Sequence, residues 1–157
     1  PEPLIQKNIS RVMSLRDGTK KMSKSEESDF SRINLKDSAD DIIKKIKKAK
    51  TDTLPIPDNE FDLKKRPEAL NLLNIYGDLT NTSLTDVLKE MKGKEFSFFK
   101  KKLSDVVVEV VCPVGENMKK LMKEKSHLDA ILQKGKEKAS NIAEENLKKI
   151  RSIVGLI

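Results

Sequence analysis

The sequence predicts an all-α fold, a helical bundle that follows a short arm of strand and loop. Glycine and proline are scarce, with 6 of each in 157 residues, which disfavours loop-rich and sandwich folds. From residue 37 onward, apolar residues recur at the helical spacings of three and four. Hydrophobic and charged residues each make up 36% of the chain, so we expect one modest core.

Three helices are predicted in the first half of the bundle, each from its own boundary signals. Asp37 or Ser38 can cap the first helix, which stops in the proline-containing segment after Lys50. Pro67 suits the first position of the second helix, and a third begins near Ser83 and ends near Gly93. The apolar stripes of the first two helices are Ala39, Ile42, Ile43, Ile46, Ala49, Ala69, Leu70, Leu72, Leu73, Tyr76 and Leu79.

The second half is predicted to be helical despite a run of β-branched residues. Valines at 106–108 and 110–111 favour a strand by propensity, but an apolar stripe at helical spacing continues on both sides of them. Pro113 should kink this helix and not end it. Ser126 with Asp129 resembles a capping box that opens a last helical region, which we expect to be interrupted near Gly135.

The amino-terminal arm has a different character from the bundle. Residues 12–15 could form a short strand, Asp17-Gly18-Thr19 suits a turn, and residues 20–29 form a polar loop. A strand needs partners for its backbone groups, and the rest of the sequence offers no second strand with a clear pattern. We therefore expect the first thirty residues to be loosely held.

The net charge of +7 is compatible with a polyanionic partner such as RNA. It is equally compatible with a surface that uses lysine for solubility, so charge does not decide between the two interpretations. The single cysteine, Cys112, cannot form an internal disulfide, and its apolar surroundings predict a buried thiol in a reducing, cytoplasmic setting. No apolar run approaches the roughly 20 residues that cross a membrane.

Residues 21–25, Lys-Met-Ser-Lys-Ser, are the most informative segment of the chain. Two lysines three residues apart on a short polar loop can follow the charge that builds on a departing pyrophosphate. Neighbouring hydroxyls and backbone N–H groups add phosphate donors. Taken alone, the same pattern could be a solvated Lys/Ser loop or a kinase target.

Residues 21–25 match the mobile phosphate-binding loop of class I aminoacyl-tRNA synthetases without a mismatch. The chain resembles tryptophanyl-tRNA synthetases over most of its length, at residues 11–25, 31–33, 44–52, 66–76 and 154–156. Residues 19–25, 50–52 and 71–76 favour the tryptophan enzymes over their tyrosine relatives. The resemblance implies that residues 1–34 end a Rossmann-like catalytic domain, and that residues 35–157 form a C-terminal helical domain that binds the tRNA anticodon.

The resemblance also implies the site residues. Lys21 and Lys24 would be catalytic, stabilising the pyrophosphate that leaves ATP when tryptophan is activated. The ATP-binding set would comprise Val12 and Met22 beside the adenine, together with Lys21, Ser23, Lys24 and Ser25 on the phosphates. The sequence offers no metal-ligand spacing, so Mg²⁺ is expected to arrive with ATP. Gly18 and the small polar residues suit a loop that closes and reopens.

The resemblance covers only part of a synthetase. The His-rich ATP motif and the amino-acid pocket of such enzymes are not found here, and the one histidine, His127, is expected to be exposed. A chain that opens on Pro1 without Met suggests a piece of a longer protein. We expect the 157 residues alone to be inactive and monomeric, whereas the parent enzyme should be a homodimer that charges tRNA(Trp).

Several alternatives stay open at this point. The chain could be a non-enzymatic helical RNA-binding module, a tyrosine-type synthetase, or a plain helical interaction domain. Lysines in the segment 44–50 could meet tRNA phosphates or form a solvated helix face. Tyr76 and Arg66 are possible anticodon contacts, and the phenylalanines at 96, 98 and 99 are expected to anchor the core.

Overall fold

The structure is a computed structural model that describes Glu2 and residues 11–156. The chain divides into two compact units, Pro1–Glu116 and Asn117–Ile157. Across the described residues the regular elements are all helical, which confirms the predicted all-α class. They are a 3₁₀ turn at Asp29–Ser31 and the α-helices α1 (Ala39–Lys48), α2 (Glu60–Lys64), α3 (Pro67–Thr80), α4 (Leu84–Met91), α5 (Phe96–Lys123) and α6 (Lys125–Ile153).

Helix α1 begins and ends where the sequence predicts. Ser38 and Asp41 form a reciprocal capping box, in which each side chain accepts a hydrogen bond from the other residue's backbone N–H. The spacing of Ile42 and Ile46 buries both side chains completely against the core. At the other end, Lys100 of α5 donates a hydrogen bond of 2.7 Å to the carbonyl of Ala49. Burial lowers the pKa of Lys100.

Helices α3 and α4 are also confirmed, with Pro67 at the first position of α3 and Ser83 capping α4. Asn81 ends α3 in the left-handed region at φ 56°, and Gly93 follows α4 at φ 70°. Helix α2, which Asn59 caps, was not predicted. Its five residues are too few to show a helical period.

The valine run lies inside α5, so the helical interpretation is confirmed. Helix α5 continues through Pro113. Its first four turns bury Phe96, Phe99, Leu103 and Val107 at spacings of three and four. The ring of Phe99 also meets Tyr76 of α3 edge-on, with the centroids 5.6 Å apart.

Two predictions about α6 are wrong. Glu124 precedes the helix and its carbonyl accepts from His127 and Leu128, so Ser126 already lies inside the helix and cannot cap it. The helix also runs through Gly135 without a break, since a glycine costs only about 1 kcal/mol within a run of good helix formers. His127 is exposed, as predicted.

Cys112 corrects a third prediction, because its side chain is half-buried and not fully buried. It packs at the margin of the core cluster with Val108 and Val111. In the second unit, α6 has no buried residue. No helix in the described part of the chain is long and apolar enough to cross a membrane.

The core predicts a sharp difference between two neighbouring phenylalanines. Phe99 has no exposed surface, whereas Phe98 is 45% exposed. Phe99→Ala should destabilise the chain by about 3–5 kcal/mol, because it leaves a cavity. Phe98→Ala, the matched control, should cost less than about 1 kcal/mol. Urea unfolding followed by circular dichroism measures both, and equal losses would contradict this assignment of the core.

Candidate functional site

The predicted lysine loop is the second arm of a small hairpin, residues 12–25, which we call the lysine hairpin. Met13 and Lys21 face each other in an isolated antiparallel bridge. On either side of this pair, Met22 N–H donates to Val12 O at 3.1 Å and Ser14 N–H donates to Lys20 O at 2.8 Å. The predicted strand at 12–15 is thus reduced to one bridge.

The predicted turn at residues 17–19 is confirmed and joins the two arms of the hairpin. The carboxylate of Asp17 accepts hydrogen bonds from the Thr19 N–H at 3.0 Å and from the Thr19 hydroxyl at 2.6 Å. These bonds hold the pKa of Asp17 below its ordinary value. Gly18 is buried, and a Cβ there would overlap the backbone of Pro67 and Glu68. Gly18 therefore packs the turn against the start of α3, which differs from the expected role in loop opening.

The outward-facing backbone groups of the first arm form hydrogen bonds with a side chain and not with another strand. Asn71 of α3 accepts a hydrogen bond from Met13 N–H at 3.0 Å and donates one to Met13 O at 2.9 Å. Asn71 is only 4% exposed. One buried amide thus pairs both backbone groups of Met13, as the peptide group of a neighbouring strand would.

Leu15 continues the attachment on the far side of the bridge. Its N–H donates to Ser31 O, and its carbonyl accepts from Lys50 N–H, each at 2.8 Å. Its side chain is buried in the main core. The expectation that the arm is loosely held is therefore wrong for residues 11–31, because tertiary partners replace the missing strand. Residues 1 and 3–10 lie outside the described residues.

A charged network holds the end of the loop that follows the lysines. Lys45 of α1 has a buried side chain, 5% exposed, with its ammonium group 2.6 Å from both Asp29 and Asp37. Burial alone would lower the pKa of Lys45, but the two carboxylates raise it overall. The hydrogen bond from Lys45 holds the pKa of Asp29 below its ordinary value. Arg32 and Asn34 also contact Asp29, so this network fixes the 3₁₀ turn to α1.

The proposed catalytic lysines are arranged differently from these structural cations. Lys21 and Lys24 are exposed, and neither has an ion-pair partner among the described residues. The adjacent Lys20 lies 3.5 Å from Asp17. The hydroxyls of Ser23 and Ser25 are 2.9 Å apart, and Ser25 N–H donates to Ser23 Oγ, which turns the chain at Lys24. Two cations and two hydroxyls therefore lie within five consecutive residues, from the bridge at Lys21 to the turn at Lys24.

The two residues expected near adenine lie at the base of that turn. Val12 is 40% exposed, and its carbonyl accepts from Met22 N–H. Met22 is partly buried and packs against the core. All six predicted site residues thus lie on the two arms of the lysine hairpin. They are Val12, Lys21, Met22, Ser23, Lys24 and Ser25.

The lysines of segment 44–50 do not form one equivalent face. Lys45 is buried in the network above, and Lys50 pairs with Glu68 at 2.8 Å. This pair holds the pKa of Glu68 below its ordinary value and raises the pKa of Lys50. Lys48 is exposed and lies over the Phe30 ring at 4.5 Å, which leaves Lys44 and Lys47 as the exposed cations of α1 without an ion-pair or aromatic partner among the described residues.

Tyr76 and Arg66 have structural roles within the first unit. Tyr76 is a buried residue of the core and is 8% exposed. Arg66 binds the Asp52 carboxylate, with an Nε–Oδ2 distance of 2.7 Å. Arg66 also donates to the carbonyls of Leu54 and Pro55. Phe96 and Phe99 anchor the core as predicted, whereas Phe98 does not.

A cavity of about 680 Å³ lies near the end of α1 and the start of α5, and no sequence pattern predicted it. Its lining includes Ile43, Lys47, Thr51, Asp52, Phe96 and Lys101. The described residues contain no group of three or more His, Cys, Asp and Glu side chains that could hold a metal ion.

With this geometry in view, comparison with known proteins places the chain in a class. A family model described as tRNA synthetases class I (W and Y) matches residues 1–111. The chain belongs to this family of class I aminoacyl-tRNA synthetases.

Curated relatives of this chain carry a more specific name. The tryptophan–tRNA ligase of Rhizobium meliloti is 52% identical over 156 residues, which are 99% of this chain and 44% of the relative. That of Agrobacterium fabrum is 51% identical over the same share. A crystal structure of tryptophanyl-tRNA synthetase from Mycoplasma pneumoniae superposes with a TM-score of 0.74 at 26% identity, covering 97% of this chain and 45% of that one. The chain therefore spans less than half the length of these relatives, and its predicted resemblance to them is confirmed.

The Lys45 network predicts a pH-dependent effect on stability. Lys45→Ala should destabilise the chain by roughly 2 kcal/mol near neutral pH, because two carboxylates lose a charged partner. In the folded chain the hydrogen bond from Lys45 holds the pKa of Asp29 below its ordinary value. Its contribution is therefore present above that value and is lost as pH falls through the folded pKa. The cost of Lys45→Ala should shrink below about pH 3.8, as measured by urea unfolding at several pH values.

Lys44→Ala is the matched control for this prediction, since Lys44 is the exposed neighbour on the same helix. Its unfolding midpoint should equal that of the unmodified chain at every pH. Similar losses for the two variants would show that the network does not hold α1 to the 3₁₀ turn.

Proposed function

We propose that this chain supplies the pyrophosphate-binding loop and a helical tRNA-binding part of a tryptophan–tRNA ligase. The observation that carries the proposal is the lysine hairpin. Its two exposed lysines have no ion-pair partner among the described residues, while the backbone of the hairpin is fixed to α3, to Ser31 and to Lys50 after α1. The chain as a whole is about half identical to the matching parts of curated tryptophan–tRNA ligases.

The proposed reaction is amino-acid activation. A carboxylate oxygen of tryptophan attacks the α-phosphorus of ATP, and the bond from that phosphorus to the bridging oxygen breaks. Pyrophosphate leaves with the electron pair, and tryptophanyl-adenylate remains. Lys21 and Lys24 place ammonium groups where negative charge grows along this path, so they stabilise the transition state more than bound ATP.

The residues of the loop fit a triphosphate. Ser23 and Ser25 present hydroxyls beside the two cations, and the turn at Lys24 leaves the loop open to ligand. Mg²⁺ bound to ATP would neutralise part of the phosphate charge during the same step. The backbone of Val12 and Met22, at the base of the turn, borders the proposed position of adenine.

The remaining assignments concern partners. Residues 35–157 are the proposed tRNA(Trp)-binding part, a role with which the whole chain's net charge of +7 is compatible. Lys44 and Lys47 are the cations of α1 most available to RNA phosphates. The complete enzyme is proposed to be a cytoplasmic homodimer, and the 157-residue chain alone a monomer.

A tyrosine-type synthetase is the second candidate, because the matching family model includes both enzymes. The names of the curated relatives described above favour tryptophan. A non-enzymatic RNA-binding module would show salt-sensitive tRNA binding, while the complete gene product would never exchange pyrophosphate.

The lysine variants test the proposal in the longest reading frame that contains this chain. Lys21→Ala and Lys24→Ala should each lower kcat for tryptophan-dependent ATP–pyrophosphate exchange by about 10²–10³-fold, because each removes one stabilising cation. Lys20→Ala is the matched control, since Lys20 is the neighbouring lysine and its partner is Asp17. Its exchange rate should be unchanged.

Two outcomes of this experiment would reject the proposal. Exchange that responds to tyrosine and not to tryptophan would assign the chain to the second candidate. Unchanged turnover in both catalytic-lysine variants would leave only a helical interaction or RNA-binding domain.

The 157-residue chain alone is expected to show no tryptophan-dependent exchange. Its phosphate loop is present, but its only histidine is exposed in α6, so a His-rich ATP motif must come from other residues. Purified chain at micromolar concentration, assayed beside the full reading frame, provides the measurement. Exchange above the enzyme-free background would show that these residues contain a complete active site.

A further inference from the structure

We infer that Asn71 is a positioning residue for the activation step, acting through Lys21. This inference rests on the proposed function of the lysine hairpin and extends it to a buried residue of α3 that contacts neither proposed substrate. The observation that supports it is the pair of hydrogen bonds that joins the Asn71 amide to both backbone groups of Met13.

The hydrogen-bond pattern of the hairpin determines where Met13 points. The ladder bonds come from the flanking residues, Ser14 to Lys20 and Met22 to Val12. Met13 and Lys21 are therefore a directly opposed pair that exchanges no hydrogen bonds. In such a pair the N–H and C=O of each residue face away from the partner. The N–H and C=O of Met13 thus point toward α3, where each forms a hydrogen bond with the side-chain amide of Asn71.

The amide of Asn71 has little freedom to change this arrangement. Its oxygen accepts and its nitrogen donates, so exchanging the two atoms would lose both bonds. The residue is 4% exposed. Helix α3 therefore fixes the backbone of Met13, and the ladder bonds on either side of Met13 hold Lys21 opposite it.

Loss of the amide would release the first arm at the point opposite Lys21. Asn71→Ala leaves the Met13 N–H and C=O without partners, so the arm should shift to find others. A displacement of about 1 Å at a positioning residue can lower a rate by about 10²-fold. The ammonium group of Lys21 would then meet the leaving pyrophosphate in a poorer geometry, while the binding of tryptophan would be unaffected.

Asn74 provides a matched control on the same helix, one turn further along. Its side-chain oxygen is buried and has no hydrogen-bond partner among the residues that the structure describes. No hydrogen bond joins Asn74 to the hairpin within the described residues. Asn74→Ala thus removes the same chemical group from α3 without releasing Met13.

The test is a double-mutant cycle in the full reading frame, read by ATP–pyrophosphate exchange. Asn71→Ala should lower kcat by about 10–100-fold, with KM for tryptophan within about twofold of the parent value. In a protein that already carries Lys21→Ala, the same substitution should lower kcat by less than about threefold. Asn74→Ala should leave kcat unchanged in both backgrounds.

The outcomes separate this inference from the proposed function. Unchanged exchange in Lys21→Ala and Lys24→Ala would reject the proposed function and this inference with it. If those variants are impaired but Asn71→Ala is fully active, only the role of Asn71 is rejected. An equal fold loss from Asn71→Ala in both backgrounds would show general damage to the fold, which also overturns the positioning role.

Discussion

The structure of the lysine hairpin depends on how its backbone finds partners outside the hairpin. A two-stranded hairpin is marginal in water without further support. Here the amide of Asn71 pairs with Met13, while Ser31 and the start of the loop after α1 pair with Leu15. Three separate parts of the first unit thus fix one short arm. Without them, the loop residues would have no defined position from which to bind phosphate.

The lysines of this region fall into two groups, according to whether a carboxylate of the described residues pairs with them. Lys45 and Lys50 pair with carboxylates and attach α1 and its following residue to neighbouring segments. Lys21 and Lys24 have no such partner among the described residues. A lysine that already pairs with a carboxylate would have to break that pair before it could bind phosphate. An unpaired lysine on a fixed backbone offers its full charge to a ligand without this cost.

The sequence was sufficient for features with local causes and insufficient for those with distant ones. Helix caps and apolar stripes depend on neighbouring residues, so the helices that show them were predicted correctly. These signals are the caps at Ser38 and Ser83 and the stripes of α1, α3 and α5. The lysine pattern likewise identified the loop. The attachment of the arm was missed because Asn71 lies 58 positions from Met13. The available signal was one asparagine between Leu70 and Leu72 of α3.

The start of α3 contacts two segments that are far apart in the sequence, the lysine hairpin and the residues from Asp52 onward. Arg66 holds Asp52 and the carbonyls that follow it, and Asn71 holds the lysine hairpin. Gly18 packs against the backbone between them. The packing therefore continues across residues 34 and 35, where the sequence predicts a domain boundary. Cutting the chain there would expose Leu15 and leave Met13 unpaired, so the loop is expected to keep its geometry only with α1 and α3 attached.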